Sequence, residues 1–402
     1  MSRDASILVV GAGPVGTVAA LACAQRGHAV RLVEAELQVN DSPRASTTQP
    51  PTLEIIAGLG LIDEYHAQGL VSRVFQFWDR PTKTLIAEFD FARLRDETPF
   101  PYVVQTEQHK LANMGIARLR AMPNAQVQLG MRVTGLEQTA DRVIVRAEDA
   151  EGSHEFAADY VIACDGGRST VRKSLDIEFE GYTWPERFLV ITTTFDFEAA
   201  IGCSFRNYMA GPDEWTNLFK VAGDDLKGRW RAVYNTRQDE TDAEAVSDAA
   251  VRARLARCYA DGADWAHLNL YNVHQRVAKH FRKGRVFLAG DAAHVNNPIG
   301  GLGLNSGIHE VWDLASLLDR VIKGEAGAEL LDTYERRRRP LNIEFVQEQT
   351  VANKRRLEET DPERRAERFR DLRAMADDPA RHRAFLLRAG LIESVRRAAT
   401  LA

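Results

Sequence analysis

The chain begins with a short apolar segment that predicts a buried β-strand. Residues 6–10 read SILVV, and glycines follow at Gly11, Gly13 and Gly16. The apolar segment TVAALACAQR then favours a helix, and AVRLVE predicts a second strand that ends at Glu34. A strand, a helix and a second strand with connections of this length indicate a βαβ unit, in which the two strands are parallel.

Two later segments repeat the order of strand, turn and helix. The first reads ADYVIACDGGRSTVRKSL and places Asp165 just past an apolar strand. The second, residues 285–307, reads RVFLAGDAAHVNNPIGGLGLNSG and places Asp291 at the end of a strand, before a glycine-rich loop. The segment HEVWDLASLL that follows predicts a helix. Each segment therefore puts an acid where a strand gives way to a helix.

Between Phe188 and about Tyr271 the pattern changes to closely spaced strands, and from about residue 350 the chain is charged and helical. These patterns predict an α/β protein with a Rossmann-type dinucleotide-binding domain, an inserted β-sheet domain and a C-terminal helical tail. The predicted boundaries assign residues 1–75, 101–180 and 275–350 to the dinucleotide-binding domain, residues 76–100 and 181–274 to the inserted sheet domain, and residues 351–402 to the helical tail.

The composition is that of an ordinary folded protein. Of the 402 residues 45% are hydrophobic and 27% charged, and the net charge of −5 argues against general nucleic-acid binding. The longest apolar runs are too short to span a bilayer, and the N-terminus has no signal-peptide pattern, so no membrane association is expected. The four cysteines form no CxxC pair, which argues against metal sites and disulfides and favours a cytoplasmic location.

The first glycine motif has the chemistry of a dinucleotide site. Gly11 allows a tight turn after the strand, Gly13 allows a pyrophosphate to approach the backbone, and Gly16 allows the helix to pack closely on the strand. The helix N-terminus offers free N–H groups to the phosphates. Glu34 comes 18 residues after Gly16, at the strand end where a carboxylate binds ribose hydroxyls. The motif does not distinguish NAD from FAD.

The other two sites point to FAD. Taken alone, the segment around Asp165 is also compatible with an ordinary turn and helix cap. Asp291 can accept hydrogen bonds from sugar-like hydroxyls, and the glycines after it let the backbone pass close to a flat ring. Together the three sites suggest a ligand with a pyrophosphate, a polyhydroxyl chain and an electron-rich planar end. FAD has that shape, whereas NAD lacks the ribityl chain that Asp291 would bind.

The segments GAGPVG, CDGGRSTVR and GDAAHVNNPIGGLGLNSG resemble, in order, the three fingerprints of the single-component flavoprotein monooxygenases. This aromatic-hydroxylase class includes the 4-hydroxybenzoate and 3-hydroxyphenylpropionate hydroxylases. The resemblance covers most of residues 5–350. It implies that the dinucleotide-binding domain binds FAD and that the inserted sheet domain binds the substrate. Leu302, Glu310, Val311 and Trp312 depart from the usual pattern of the class.

The resemblance implies a role for individual residues. It implies that the ADP half of FAD binds to Gly11, Gly13, Gly16 and Glu34. It places Arg44 beside the pyrophosphate and beside the path by which the reductant approaches. It implies that the flavin sugar chain binds to Gln105 and Asp291. It implicates Asp165 in binding both FAD and NAD(P)H, and it lines the flavin ring with Pro298, Gly300, Gly301, Leu302 and Gly303.

The activity implied by the resemblance is hydroxylation of a phenolic or heteroaromatic compound through a flavin hydroperoxide, with dioxygen as co-substrate and NADH or NADPH as transient reductant. The alternative is an FAD-dependent oxidoreductase of the same fold without oxygen insertion, such as a dehydrogenase, reductase or halogenase. No catalytic base is assigned, and a homodimer is a further expectation. The candidate substrate contacts, each of which core packing also explains, are Phe77, Phe205, Tyr208, Trp215 and Phe219.

Overall fold

The computed structural model describes residues 5–42 and 46–401. Its strands are β1 (Ala5–Val10), β2 (Val30–Glu34), β3 (Thr47–Thr48), β4 (Leu70–Ser72), β5 (Val74–Asp79), β6 (Thr84–Asp90), β7 (Val103–Gln105), β8 (Ala125–Leu129), β9 (Arg132–Gln138), β10 (Val143–Asp149), β11 (Gly152–Ala163), β12 (Phe179–Thr193), β13 (Arg206–Ala210), β14 (Thr216–Val221), β15 (Arg229–Asn235), β16 (His267–Ala278), β17 (Arg282–Lys283), β18 (Val286–Leu288) and β19 (His294–Val295). Its helices are α1 (Pro14–Gln25), α2 (Pro50–Gly58), α3 (Ile62–Ala67), α4 (Gln108–Arg120), α5 (Thr170–Ser174), α6 (Phe197–Ile201), α7 (Asp242–Ala245), α8 (Asp248–Arg257), α9 (Gly303–Ile322), α10 (Asp332–Asn342), α11 (Glu348–Leu357), α12 (Pro362–Asp377), α13 (Pro379–Ala389) and α14 (Ile392–Thr400).

The first sheet has the order β17-β18-β11-β1-β2-β8, and β10 and β9 extend it from β11. The strands β18, β11, β1, β2 and β8 are mutually parallel, whereas β9, β10 and β17 pair antiparallel. Residues 7–10 of β1 are apolar and buried because α1, which packs on α4 and α9, covers the sheet. The predicted βαβ unit and parallel sheet are confirmed.

The three central strands β18, β11 and β1 end at the same edge of this sheet. Gly11 follows β1, Asp165 lies two residues beyond β11, and Asp291 lies three residues beyond β18. The strands are direct neighbours, so their carboxyl ends bring the three segments together. This is the edge at which open α/β sheets bind ligands.

The second sheet has the order β19-β16-β12-β15-β14-β13-β5-β6. All its pairs are antiparallel except that of β13 with β5. It contains the four strands that the sequence predicts between Phe188 and about Tyr271. Strands β12 and β16 run across the predicted domain boundaries near residues 180 and 275, so the exact division into domains stays a proposal.

The last four helices pack on strands β6 and β13 of this second sheet and on helices α2 and α10. An ion pair between Arg365 of α12 and Asp79 of β5 joins the segment to the sheet. Glu97 accepts from Arg383 of α13 and Arg396 of α14. Apolar side chains of α11, α12 and α13, including Leu357, share a core with those of the second sheet. The predicted C-terminal helical region is therefore confirmed. In the part of the chain that the structure describes, no helix has the length and apolarity to cross a membrane.

Candidate active site

The glycine motif forms a close turn between β1 and α1. Gly11 has a φ of +100°, and a Cβ there would lie 2.4 Å from the carbonyl oxygen of Cys164. A Cβ on Gly16 would lie 1.9 Å from the carbonyl oxygen of Gly11. Both positions therefore require glycine for the protein's own packing. Gly13 differs, because a Cβ on it would meet no atom within 4 Å.

The open space at Gly13 lies in front of the N-terminus of α1. No side chain caps this helix end, and its first turn contains no acid. Its first N–H groups and the helix dipole therefore favour an anion at this point. Glu34 lies beside the turn, where its Oε2 accepts a hydrogen bond from the backbone N–H of Ala12 at 2.7 Å. An uncapped helix start next to a carboxylate fits the pyrophosphate and ribose of a dinucleotide.

Asp165, in the second segment, already has hydrogen-bond donors within the protein. Its Oδ1 accepts from the Ser169 hydroxyl at 2.5 Å, and its Oδ2 accepts from the Val171 N–H at 3.1 Å. Burial raises the pKa of Asp165, although these hydrogen bonds oppose the rise. The carboxyl group shapes the turn before α5, while the turn itself borders the glycine motif through Cys164.

Asp291 lies in a single turn, Gly290–Ala292, and its side chain is exposed at the sheet edge. The loop from Asn296 to Leu302 follows, and α9 begins at Gly303. As at α1, no side chain caps α9 and its first turn contains no acid. An exposed acid suited to hydroxyls and an uncapped helix start suited to an electron-rich ring edge thus lie at the two ends of one segment, from Asp291 to Gly303.

The glycines of this loop leave room for their neighbours only because they lack side chains. A Cβ would lie 2.9 Å from Asn353 Nδ2 at Gly300 and 2.9 Å from Thr47 Cβ at Gly301. Both glycines have a positive φ, of +113° and +64°. A buried amide, Asn305, fixes the loop by donating to the carbonyl oxygens of Gly301 at 2.7 Å and Thr47 at 2.9 Å. Pro298 closes the turn, because its carbonyl oxygen accepts from the Gly301 N–H.

A buried ion pair fixes the turn that precedes this loop. His294 Nε2 lies 2.7 Å from Glu310 Oε1, and Glu310 Oε2 accepts from the Gly290 N–H at 2.9 Å. Burial alone would lower the pKa of His294, but the Glu310 carboxylate outweighs it and the pKa is raised. Burial likewise opposes ionisation of Glu310, yet His294 lowers its pKa. These shifts favour the charged forms of both side chains, and the pair joins α9 to the turn that carries Asp291.

The two remaining predicted cofactor-binding residues are Gln105 and Arg44. Gln105 is the last residue of β7, which pairs with β3, and α4 begins three residues later at Gln108. Its side chain accepts from the Thr47 hydroxyl at 2.6 Å, close to the glycine loop. Arg44 lies outside the described residues.

An aromatic pocket lies against the glycine loop on the side of the second sheet. Its walls come from Ile299 and Gly300 of the loop, from β5 and β13, and from the C-terminal helices; the remaining lining residues are Phe75, Phe77, Arg206, Tyr208, Gln349, Asn353, Leu357, Phe385 and Ala389. The free volume is about 20 Å³, enough for about one water molecule. A ring can therefore enter only when part of this wall moves. A larger cavity of about 800 Å³ lies on the other side of α11, with Arg356 at its edge.

The predicted substrate contacts divide into two groups. Tyr208 and Phe77 line the pocket, and their rings stack with centroids 5.2 Å apart. Among the described residues that form the pocket wall, Phe205, Trp215 and Phe219 are absent. Trp215 is buried edge-on against Phe188, while Phe219 packs edge-on against the outer side of Tyr208.

The sequence interpretation missed the contribution of the C-terminal helices. Asn353 of α11 donates to the Ile299 carbonyl oxygen at 3.2 Å, and Phe385 of α13 packs 4.5 Å from the ring of Phe89. It also missed Arg206, whose side chain contacts both Tyr208 and the Gly300 carbonyl oxygen. These contacts join segments far apart in sequence and leave no local pattern; the alternation of β13 could only have marked Arg206 and Tyr208 as sharing a face.

Comparison with known proteins agrees with this geometry. A family model described as an FAD binding domain matches residues 4–349. A para-nitrophenol 4-monooxygenase of Pseudomonas sp. (strain WBC-3) is 35% identical over 393 residues, which are 95% of this chain and 94% of the relative. A 6-hydroxy-3-succinoylpyridine 3-monooxygenase of Pseudomonas putida (strain DSM 28022 / S16) is 33% identical over 366 residues, 89% of this chain and 90% of the relative.

A solved structure shows the same fold over nearly the whole chain. The crystal structure of p-nitrophenol 4-monooxygenase from Pseudomonas putida DLL-E4 matches with a TM-score of 0.91 and 33% identity, covering 98% of this chain and 99% of that one. The family match spans the three strand-end motifs and the glycine loop. The chain therefore belongs to the FAD binding domain family and, within it, to the flavoprotein monooxygenases that its three motifs resemble.

Proposed function

We propose that this protein is an FAD-dependent monooxygenase that uses NADH or NADPH and dioxygen to hydroxylate a small phenol or hydroxylated heteroaromatic compound. The observation that carries the proposal is the meeting of three motifs at the carboxyl ends of β18, β11 and β1, beside an aromatic pocket formed partly by the glycine loop. A dinucleotide that reaches across this edge has its ring at the pocket. Family membership supports the oxygen-inserting activity over an oxidoreductase without oxygen insertion.

The residues present fit FAD. The open space at Gly13 and the uncapped start of α1 would receive the pyrophosphate, and Glu34 the ribose. Asp291 and Gln105 would hold the ribityl chain, and Arg44 would border the pyrophosphate and the reductant. The turn at Asp165 would contact both FAD and NAD(P)H. The ring would lie along Pro298, Gly300, Gly301, Leu302 and Gly303.

The chemistry supplied by bound FAD is reduction by NADH or NADPH and activation of dioxygen. The chain's own residues position the substrate and exclude water. Phe77 stacks beside Tyr208 in the pocket wall, so an aromatic ring can pack against these side chains while the Tyr208 hydroxyl binds its oxygen. The start of α9 offers N–H groups where negative charge develops on the ring system.

The substrate class follows from the pocket and from the relatives. A para-nitrophenol monooxygenase and a hydroxypyridine monooxygenase both act, by their names, on small rings with an ionisable hydroxyl group. The aromatic lining of the pocket suits a single ring of that kind, which enters once part of the wall has moved. A cytoplasmic location, a homodimer and the division into an FAD-binding and a substrate-binding domain complete the proposal.

The test is oxidation of NADH and of NADPH in air by the purified protein, with para-substituted phenols and their methyl ethers. The protein is expected to be yellow, with oxidation stimulated by phenols and little by the ethers, and with a hydroxylated product detected by mass. A colourless protein that FAD does not reconstitute would exclude the proposal. Oxidation of a substrate with an artificial acceptor and no hydroxylated product would favour the oxidoreductase alternative.

A further inference from the structure

Gln275 is a buried amide that joins the glycine loop to the second sheet and to the start of α11. It lies on β16 and is only 5% exposed. Its Oε1 accepts hydrogen bonds from the backbone N–H of Asn297 and from Asn297 Nδ2, both at 3.2 Å. Its Nε2 donates to Gln347 Oε1 at 2.6 Å, to the Gln347 carbonyl oxygen at 3.2 Å and to the Thr350 hydroxyl at 3.2 Å. Both ends of this amide are therefore bonded within the protein.

The backbone determines which way the amide faces. A carbonyl oxygen can only accept, so the atom that faces Gln347 is the side-chain nitrogen of Gln275. An N–H group can only donate, so the atom that faces Asn297 is the side-chain oxygen. The amide of Asn297 is oriented in the same way, because its Oδ1 accepts from the Ile299 N–H at 3.2 Å. The two amides thus have one arrangement in which both are satisfied.

The same part of the loop is also held from the helix side. Gln347 is the last residue of a π-helical turn, Ile343–Gln347, between α10 and α11, and such turns occur frequently at functional sites. Its Nε2 donates to the Val295 carbonyl oxygen at 3.3 Å. Asn353, one turn into α11, donates to the Ile299 carbonyl oxygen at 3.2 Å. The start of the glycine loop is therefore fixed between the second sheet and α11.

The segment held in this way is the one that would lie along the flavin ring. Pro298 stands between Asn297 and Ile299, whose backbone N–H groups are both bonded within the network, and Gly300 follows at the pocket wall. The residues proposed to bind the ADP half of FAD belong to other segments of the chain. A change in the network should therefore affect the ring more than it affects the retention of FAD.

We propose that Gln275 and Asn297 are positioning residues for the flavin ring, whose hydrogen bonds determine how much of the consumed dioxygen becomes hydroxylated product. The inference rests on the proposed function and deepens it. In the coupled reaction NADH or NADPH supplies two electrons, one oxygen atom enters the substrate and the other leaves as water. In the uncoupled reaction the same two electrons and two protons convert dioxygen into hydrogen peroxide, and the substrate is unchanged. A misplaced ring favours the second outcome, because oxygen insertion requires cofactor and substrate to be held in register.

The first experiment replaces Gln275 by methionine, which is similar in length and volume but cannot donate a hydrogen bond. The product formed per NADH or NADPH oxidised should fall about twofold or more in Gln275→Met, and the missing oxygen should appear as hydrogen peroxide. The absorption spectrum of the bound flavin should shift, while FAD is retained.

Gln76→Met is the matched control. Gln76 is also 5% exposed and lies in the same sheet, but its side chain bonds Glu88 and the Ser204 N–H instead of the loop. Unfolding of the two apoproteins should show a similar loss of stability. The flavin spectrum and the product yield of Gln76→Met should nevertheless be those of the wild-type protein, because its lost hydrogen bonds do not reach the loop.

The second experiment removes the loop side of the same contact. Asn297→Ala should shift the flavin spectrum and lower the product yield in the same direction. Adding Gln275→Met to Asn297→Ala should cause little further loss, because the two side chains act as one unit. Should Gln275→Met fail to fold, comparison of Asn297→Ala with Gln76→Met decides the question.

A wild-type flavin spectrum and product yield in the variants of Gln275 and Asn297 would overturn the inference and leave the proposed function standing. Equal uncoupling in Gln76→Met would also overturn it, because the effect would then come from general loosening of the sheet. A wild-type protein that cannot bind FAD, or that oxidises its substrate without inserting oxygen, would instead overturn the proposed function.

Discussion

At the residue scale, the fold itself requires two glycines of the first motif but does not require the third, Gly13. Gly11 and Gly16 are required by the protein itself, because a Cβ on either would clash with backbone oxygens. Gly13 has a φ of −64°, which any residue adopts, and a Cβ there would point into open space. The pyrophosphate that we propose to lie against this turn would account for a glycine at this position.

Gly13→Ala is therefore expected to fold normally and to bind FAD poorly. The apoprotein should lose less than about 1 kcal/mol of unfolding free energy, while the dissociation constant for FAD should rise about tenfold or more, since the added methyl group occupies the approach of the pyrophosphate. Denaturation of the apoprotein and titration with FAD measure the two effects. Gly135→Ala, on β9 away from the motif, is the control. Unchanged FAD affinity in Gly13→Ala would contradict the assignment.

The buried pair of His294 and Glu310 predicts how the stability of the protein changes with pH. Because the pKa of His294 is raised in the folded protein, protonated His294 stabilises the fold fully below the unfolded pKa of about 6.5. This stabilisation is lost as the pH rises through the folded pKa. Because the pKa of Glu310 is lowered in the folded protein, ionised Glu310 stabilises the fold above its unfolded pKa of about 4.5. This stabilisation is lost as the pH falls through the folded pKa. The pair should thus stabilise the protein most between these two values.

Glu310→Gln should reduce the unfolding free energy by about 3 kcal/mol or more between pH 4.5 and 6.5. The difference from wild type should shrink as the pH is raised further, because His294 then loses its proton. Urea denaturation of both proteins at several pH values measures this. A difference that does not change with pH would show that the pair is not charged.

At the element scale, the sequence predicts what is local. The apolar runs and glycines of β1, β11 and β18 each determine a strand and its turn, so the three motifs could be recognised without a structure. The pairing that makes these strands neighbours is long-range and follows only from the parallel topology. Gln105 shows the limit, because its place beside Thr47 depends on the pairing of β7 with β3.

The C-terminal helices were predicted as helices, but their place in the site was not predictable. Their docking combines a shared apolar core with ion pairs such as that of Asp79 with Arg365, which the charge pattern does not distinguish from solvated surface pairs. In the structure α11 and α13 form one wall of the aromatic pocket.

Phe385→Ala is expected to widen the pocket from the side of α13. Small phenols should bind about tenfold more weakly, because a buried aromatic contact is lost, while bulkier phenols should bind better than they do to wild type. FAD content should be unchanged. Phe369→Ala on α12 is the matched control, because that ring packs on the same core without lining the pocket. Equal effects of both substitutions on phenol binding would indicate general destabilisation.

At the scale of the whole molecule, the two sheets have different roles. The parallel sheet presents three strand ends to a dinucleotide, and the second sheet, with the C-terminal helices, encloses the aromatic pocket beside it. Binding of FAD at the first and of a ring at the second would place cofactor and substrate on the two sides of the loop from Pro298 to Gly303. With FAD bound, this arrangement would hold a ring beside the cofactor that supplies the oxygen chemistry, and the second sheet and C-terminal helices would keep water from the ring.

The most direct test of this account is the fate of labelled dioxygen. The FAD-loaded protein is supplied with NADH or NADPH, a para-substituted phenol that stimulates its oxidation, and isotopically labelled oxygen gas, and the product is analysed by mass spectrometry. The account predicts that the hydroxylated product carries one labelled oxygen atom per molecule. Oxidised product without labelled oxygen, formed by the yellow protein under the same conditions, would contradict it.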